Sequence, residues 1–168
     1  MIQLYKPFNK NYQKNGDYVL HPSSCMMHVV LNGEWYVKLV HPIDDISENI
    51  VDGAILKIPT LFNKEQLFII RNVDKADYDV QATAYPLFYM VKTTSPLWDT
   101  RCVNMNGQDA LNTILSGTSF KGVSDIADIS TCYFNKMNRL QAINGNADNT
   151  FMSRWGGEIV YDDDTIKI

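Results

Sequence analysis

The fold of this chain is decided first by residues 25–40, whose sequence is CMMHVVLNGEWYVKLV. Two runs of β-prone residues flank Asn32-Gly33, and both of these residues tolerate the positive φ angles of a tight turn. The second run, from Trp35 to Val40, alternates between the two sides of the chain as a strand with one face in a core does. The stretch therefore predicts a β-hairpin from Ser24 to Val40.

Further strands are predicted beyond the hairpin. A polar connection over residues 43–53 leaves room for one short helical turn, and strands follow over 54–59, 66–73 and 77–84. The last two are expected to be joined by a tight turn at 74–76. Several short strands separated by turn residues are typical of an antiparallel barrel or sandwich.

The second half of the chain adds helices. Residues 85–98 are rich in aromatic residues, and 85–105 is expected to be a loop or small insertion. Asn106 is a predicted N-cap for a helix near 107–116, with Asp109 in its first turn and Gly117 at its end. We expect this amphipathic helix to pack on the sheet formed by residues 25–84.

The last third is predicted to return to strands. A β region is expected over 121–134 and a short helix over 149–155, which Gly156 ends. A hairpin turn over residues 162–164 then leads into a last strand at 165–168. The prediction for residues 1–168 is one α+β domain, dominated by strands, with an antiparallel β-barrel-like sheet and one or two packed helices.

Composition excludes several classes of function. Of the 168 residues, 45% are hydrophobic and 20% are charged, which is typical of a folded domain and not of a disordered one. The net charge is −4 and no block of Lys or Arg occurs, so recognition of nucleic-acid sequence is not expected. No segment has the pattern of a signal peptide or of a membrane span. We expect a protein made and folded in the cytosol.

No metal or cofactor site is predicted. The three cysteines are an odd number without CxxC spacing, and they are expected to be small buried hydrophobic residues in a reduced protein. They do not combine with the three histidines into a set of zinc ligands. The residues considered are Cys25, Cys102, Cys132, His21, His28 and His41. The acidic run at 162–164 suits a hairpin turn better than a calcium loop.

No catalytic residue is predicted either. The histidines would need a neighbouring nucleophile or carboxylate to act as general bases, and Cys25 and Asp44 are the nearest in sequence. Cys25 and His28 are three residues apart on a predicted strand, so their side chains face opposite sides. The Ser116–Ser119 stretch has neither a nucleophile elbow nor a phosphate-loop lysine.

The aromatic residues leave two interpretations open. Carbohydrate binding would need them exposed on one platform, whereas core packing and subunit contact are more ordinary uses. The aromatic residues considered are Trp35, Tyr36, Tyr85, Phe88, Tyr89 and Trp98. We expect the strand members in the core. The 85–98 stretch, whose only charged residue is Lys92, or a neighbouring sheet edge is expected to contact another subunit or a tail-tube protein. Trp155 is expected in the core above Gly156-Gly157.

Seven segments, in order, resemble a known family. The resemblance is closest over Asp148–Glu158, which is similar to a family segment of the form D-N-S-F-L-x-R-W-G-G-E. The others are Asn32–Leu39, which is similar to the family's first hairpin, and His41–Asp44, Glu48–Leu56, Gln66–Val73, Val80–Ala84 and Asp109–Leu115. Together they resemble the N-terminal domain of phage minor structural proteins, also called tail-associated lysin or prophage tail endopeptidase proteins, which is baseplate hub-like. Ala84 departs from the family, which usually has His or an Arg-like residue there.

The resemblance implies a structural role. Proteins of this family form trimers whose paired barrel-like domains make a ring that continues the tail tube. The implied partners are further copies of the chain and other tail proteins, such as distal tail and tube proteins, in the virion tail. The resemblance implies no enzyme activity for these residues, since a second barrel and any lytic domain would follow residue 168. A receptor- or carbohydrate-binding module of the tail tip is the alternative.

Overall fold

Strands make up 41% and helices 18% of the computed structural model, which describes residues 1–168. The chain forms two units: residues 1–30 with 34–87, and residues 31–33 with 88–168. The predicted fold class is confirmed, because the strands of the first unit form a curled antiparallel half-barrel and helices are few.

The first unit is built on one seven-stranded sheet. Its spatial order is β2-β1-β5-β6-β7-β4-β3, and every neighbouring pair is antiparallel. The strands are β1 Ile2–Tyr5, β2 Tyr18–Leu20, β3 Ser24–Val29, β4 Trp35–Pro42, β5 Ile55–Ile58, β6 Gln66–Lys75 and β7 Asp79–Pro86. A 3-10 helix at Ser47–Asn49 supplies the short helical turn that was predicted between β4 and β5.

The predicted hairpin is confirmed as β3 and β4. Ser24 pairs with Val40 and Val29 pairs with Trp35, and the amide of Val30 donates to the carbonyl of Glu34 at 3.0 Å. Alternate residues of β4 are buried from Trp35 onward, as the sequence pattern predicts. The buried face of the sheet carries aliphatic and aromatic side chains, including Leu4, Val37, Leu39, Leu56, Phe68, Ile70 and Val80.

The turn between β6 and β7 differs from the prediction. It was expected at 74–76, but β6 continues to Lys75 and the turn is closed by the amide of Ala76, which donates to the carbonyl of Asp79 at 2.9 Å. A register shift between Ile70 and Asn72 adds a residue to β6 and moves the turn along the chain. The strands β1 and β2 were not predicted.

The second unit contains two smaller sheets and three short helices. Its elements are β8 Leu97–Met105, α1 Gly107–Leu115, β9 Lys121–Val123, β10 Ser130–Met137, α2 Arg139–Asn144, α3 Phe151–Trp155, β11 Val160–Asp162 and β12 Thr165–Lys167. β8 and β10 form an antiparallel ribbon, and β12 pairs antiparallel with β11 and parallel with β9. The stretch 85–105, predicted as a loop or insertion, contains a 3-10 helix at Leu87–Thr93 and then β8.

Helix α1 begins where it was predicted but packs elsewhere. The side chain of Asn106 accepts from the amide of Asp109 at 2.8 Å, and Gly117 has a φ of 75° just after the helix. The helix contacts β8, β9 and α2, which all belong to the second unit. The prediction that it packs on the sheet of residues 25–84 is therefore wrong, because the strands it covers come from the region predicted as a loop and from 121–123.

Helix α3 is held by its cap and by Trp155. Thr150 and Ser153 form a reciprocal capping box, with bonds of 3.1 and 2.9 Å between side-chain oxygens and amides. The indole of Trp155 is buried and its Nε1 donates to the carbonyl of Met105 at 3.0 Å. Gly156 follows with a φ of 73°. The predicted core position of Trp155 is confirmed.

Asn32 has a role that sequence did not predict. Its side chain donates to the carbonyl of Gly157 at 2.9 Å and accepts from the amide of Ile159 at 2.8 Å. Its own carbonyl accepts from the amide group of Asn144 at 2.9 Å. The turn residue of the β3–β4 hairpin is thus bonded to three residues of the second unit, to which residues 31–33 belong.

Candidate assembly interface

The β3 strand is an open edge of the seven-stranded sheet. Its only paired neighbour is β4, so one row of backbone amides and carbonyls along Ser24–Val29 has no strand partner. Native proteins usually protect such edges with charges, prolines or bulges. Residues 24–30 include no Lys, Arg, Asp or Glu and no proline. Met26 is 63% exposed on this strand. The other end of the sheet, β2, is only three residues long.

A row of rings runs inward from this edge over three neighbouring strands. His28 of β3 stacks on Tyr36 of β4, with ring centroids 4.6 Å apart and planes at 20°. Tyr36 is 6.4 Å from Tyr85 of β7, and the Nζ of Lys38 lies 5.8 Å from the Tyr36 ring. Such cross-strand contacts stabilise the sheet and leave a partly exposed surface beside the open edge that is both aromatic and polar.

The 85–98 stretch contributes less surface than predicted. Phe88 and Val91 are fully buried and Leu97 is 4% exposed. Phe88 packs on Phe120 and Tyr161 at centroid distances of 5.4 and 5.8 Å, so it belongs to the protein's own core. The prediction that the apolar composition of this stretch reflects an interface core is wrong for these residues, because the second unit uses them for its own packing.

The cysteines divide into a buried pair and an exposed one. Cys102 and Cys132 are buried directly opposite each other on β8 and β10, and the Cys132 thiol donates to Oδ1 of Asn149 at 3.2 Å. Burial, and secondly the neighbouring Cys132, raise the pKa of Cys102 to about 11. Cys25 is exposed on the edge strand β3, so the prediction of a buried residue is wrong there.

The histidines do not come together. His41 is buried, with its Nδ1 2.8 Å from the carbonyl oxygen of Pro42 and 3.9 Å from a carboxylate oxygen of Asp44. His28 lies in the ring stack on the exposed edge strand, and His21 is also exposed. No group of three His, Cys, Asp or Glu side chains has the spacing of a metal site.

The acidic run at 162–164 forms the predicted hairpin turn. Asp162 pairs with Thr165, and Asp163 between the strands has a φ of 53°. The carboxylates at its two ends pair with lysines: Asp162 with Lys167, and Asp164 with Lys121 at 3.4 Å. The run is therefore explained by turn geometry and surface ion pairs.

Comparison with solved structures shows a likeness over almost the whole chain. The chain superposes on the crystal structure of prophage tail protein gp18 from Listeria monocytogenes EGD-e with a TM-score of 0.74 and 12% sequence identity. The match covers 99% of this chain and 49% of that one, so this chain spans about half the length of the solved structure. At this identity the likeness shows the fold. No protein-family model and no curated protein matches the sequence, and no helix has the length and apolar character to cross a membrane.

Proposed function

We propose that this chain is a structural domain of a phage or prophage-derived tail, in the tip or baseplate hub. The observation that carries the proposal is the fold shared along 99% of the chain with a prophage tail protein. The seven sequence segments that resemble tail-associated lysin N-terminal domains support the same role independently, because they follow one another in the family's order. The location that follows is the virion tail.

The proposed assembly is a trimeric ring that continues the tail tube. A closed ring is made by one heterologous contact repeated around an axis, so two different surfaces of each subunit meet. The uncharged edge strand β3 supports the proposal, since its open backbone groups can add a strand from a neighbour. The partners are further copies of the full-length protein, together with distal tail and tube proteins.

A charge on the edge strand tests this assembly. Met26→Lys places a charge on β3, whereas Tyr78→Lys places one on a side chain that is 86% exposed in the turn between β6 and β7. Light scattering on the full-length protein should show a trimer for the wild type and for Tyr78→Lys, and a monomer for Met26→Lys. If the wild type and both variants form trimers to the same extent, the β3 edge is not the ring contact.

A thiol-labelling experiment uses the natural cysteine of the same strand. Cys25 is exposed while Cys102 and Cys132 are buried, so a maleimide reacts first at Cys25. If β3 lies at the contact in the assembled ring, the maleimide should label Cys25 more slowly in the ring than in the monomer. Equal labelling rates in the two states would place β3 outside the contact.

We further propose that these residues have no enzyme activity. Three observations support this: His41 is buried whereas His21 and His28 are exposed, the buried Cys102 has a raised pKa, and Asp162–Asp164 form a turn. A zymogram of the purified chain on bacterial cell walls should show no clearing. Clearing that disappears on substitution of Cys25 or His28 would refute the proposal.

A further inference from the structure

The second unit contains a pocket of about 540 Å³ that the assembly proposal does not use. It is formed by the start of β8, the last turns of α1 and the first residue of α2. Its polar lining comes from Trp98, Thr100, Asn112, Thr113, Ser116 and Arg139, and no lining residue is acidic. A volume of this size is within the range of about 300–1,000 Å³ that is common for small-molecule sites.

Arg139 carries a buried charge without a counter-ion. The residue is 7% exposed, and no carboxylate lies within ion-pair distance of its guanidinium. Its Nε donates to the carbonyl of Ser95 at 3.1 Å and its Nη1 donates to the carbonyl of Ile114. These two bonds leave three of the five guanidinium N–H groups for other partners.

The physical consequence is a site that favours an anion. Charged side chains are rarely this buried unless they are paired, because removing a charge from water is costly. Burial lowers the pKa of Arg139, as this cost requires. Carbonyl dipoles offset part of the cost, and Ile114 lies in the last turn of α1, where the helix dipole is negative. A carboxylate or phosphate in the pocket would supply the missing charge and accept paired hydrogen bonds.

The rim of the pocket suits a sugar ring. Trp98 is 63% exposed, although large aromatic side chains usually bury most of their surface. Asn112 already accepts from Gln108 at 3.0 Å and keeps its amide hydrogens as donors. The hydroxyl of Thr113 donates to the carbonyl of Asp109 at 2.9 Å and can accept from a ligand. Ser116 and Thr100 add further hydroxyls. An exposed indole beside several hydroxyl and amide groups matches the alternating C–H faces and hydroxyl edges of a saccharide.

We propose that this pocket binds an anionic saccharide, with Trp98 stacked on a sugar ring and Arg139 paired with its phosphate or carboxylate. The proposal goes beyond the structural role and does not depend on ring assembly. A polynucleotide fits less well, because each phosphate it binds needs its own cation and the pocket offers a single Arg in a chain of net charge −4. The sugar-binding alternative raised from the sequence thus acquires a specific location.

Titration of the purified chain tests the proposal. The probes are glucose 6-phosphate, glucuronic acid, glucose, inorganic phosphate and adenosine monophosphate. Binding of each probe is measured by tryptophan fluorescence and by calorimetry. Glucose 6-phosphate and glucuronic acid should each bind at least about tenfold more tightly than glucose or inorganic phosphate. Equal affinity for glucose 6-phosphate and inorganic phosphate, no binding of either anionic sugar, or a preference for adenosine monophosphate would each overturn it.

Variants keep the test independent of folding. Trp98→Ala changes an exposed side chain and should weaken binding of glucose 6-phosphate about tenfold or more, while Tyr78→Ala should leave it unchanged. Arg139→Lys keeps a charge and should retain part of the preference over glucose, whereas Arg139→Gln should abolish that preference. Circular dichroism checks that each variant is folded. If Trp98→Ala binds like the wild type, the pocket is not the site, and the light-scattering result on the ring is unaffected.

Discussion

Replacing Asn32 by Gly tests how the second unit depends on one turn residue. The residue has a φ of 54°, which Gly adopts without strain, so the substitution removes the side chain and keeps the turn. Two hydrogen bonds disappear: the one from Asn32 to the carbonyl of Gly157 and the one from the amide of Ile159 to Asn32. Ile159 is 3% exposed, so its amide is left without a partner away from water.

The magnitude follows from those losses. A net contribution of about 0.5–1.5 kcal/mol for each bond, and an added penalty of about 1–3 kcal/mol for the buried amide, act in the same direction. Relief of left-handed strain on changing Asn to Gly offsets about 1 kcal/mol. We expect the free energy of unfolding to fall by about 1–5 kcal/mol.

The assay is urea unfolding followed by tryptophan fluorescence, with Asn104→Gly as the matched control. Asn104 has a φ of 51°, its backbone amide donates to the hydroxyl of Thr131 at 3.1 Å, and its side chain makes no hydrogen bond. Its substitution should raise stability by about 1 kcal/mol, because only the left-handed strain is relieved. Equal unfolding midpoints for Asn32→Gly and Asn104→Gly would refute the reasoning, since the two changes differ only in the side-chain bonds removed.

Three further predictions concern the second unit and the edge strand. Thr150→Ala removes the hydroxyl that accepts from the Ser153 amide, so it should lower stability by about 1 kcal/mol and the melting temperature by about 2–4 °C in calorimetry. The pKa of Cys102 is about 11 in the folded protein against an ordinary 9.0, so the unfolded state releases the proton first and stability should fall as pH rises from about 9 to about 11. The fall should reach about 3 kcal/mol, and chemical denaturation across that range should show a shallower dependence for Cys102→Ala. A thiol-reactive dye should label Cys25 within minutes in the native protein, and Cys132 should react only after unfolding; immediate reaction of all three thiols would contradict the burial.

Local sequence signals predicted the elements whose cause is local. The Asn32-Gly33 turn fixed the first hairpin, and Asn106 with Asp109 fixed the start of α1, because positive φ and side-chain capping act over a few residues. Strand β1 was missed because it is stabilised by distant pairing: Gln3 pairs with Lys57. A strand of four residues without a flanking turn signal has no pattern to distinguish it from a loop.

The region after Tyr85 shows a second limit. Pro96 and Ser95 are typical of a loop, and β8 begins at the next residue, Leu97. With β8 unrecognised, α1 was placed on the sheet of residues 25–84 instead of on β8 and β9. The apolar composition of 85–98 was interpreted as a subunit contact, but composition does not distinguish a core from a subunit contact, and Phe88, Val91 and Leu97 are buried in the chain itself.

The candidate surfaces depend on spatial order, which the sequence did not provide. Whether β3 is an edge or an interior strand is decided by which strand pairs with β4 on its other side, and that partner is β7. The pocket around Arg139 is likewise assembled from β8, α1 and α2, and the residues of β8 were predicted to be a loop. The missing counter-ion of Arg139 is visible only when all its neighbours are known.

A reconstruction of the assembled tail tip tests the central claim most directly. It should show the domain formed by residues 1–168 in three copies around the axis, at the end of the tail tube, with backbone groups of Ser24–Val29 paired to or covered by a neighbouring subunit. A map in which this domain lies away from the tube axis, or in which the β3 edge faces solvent in every copy, would contradict the account.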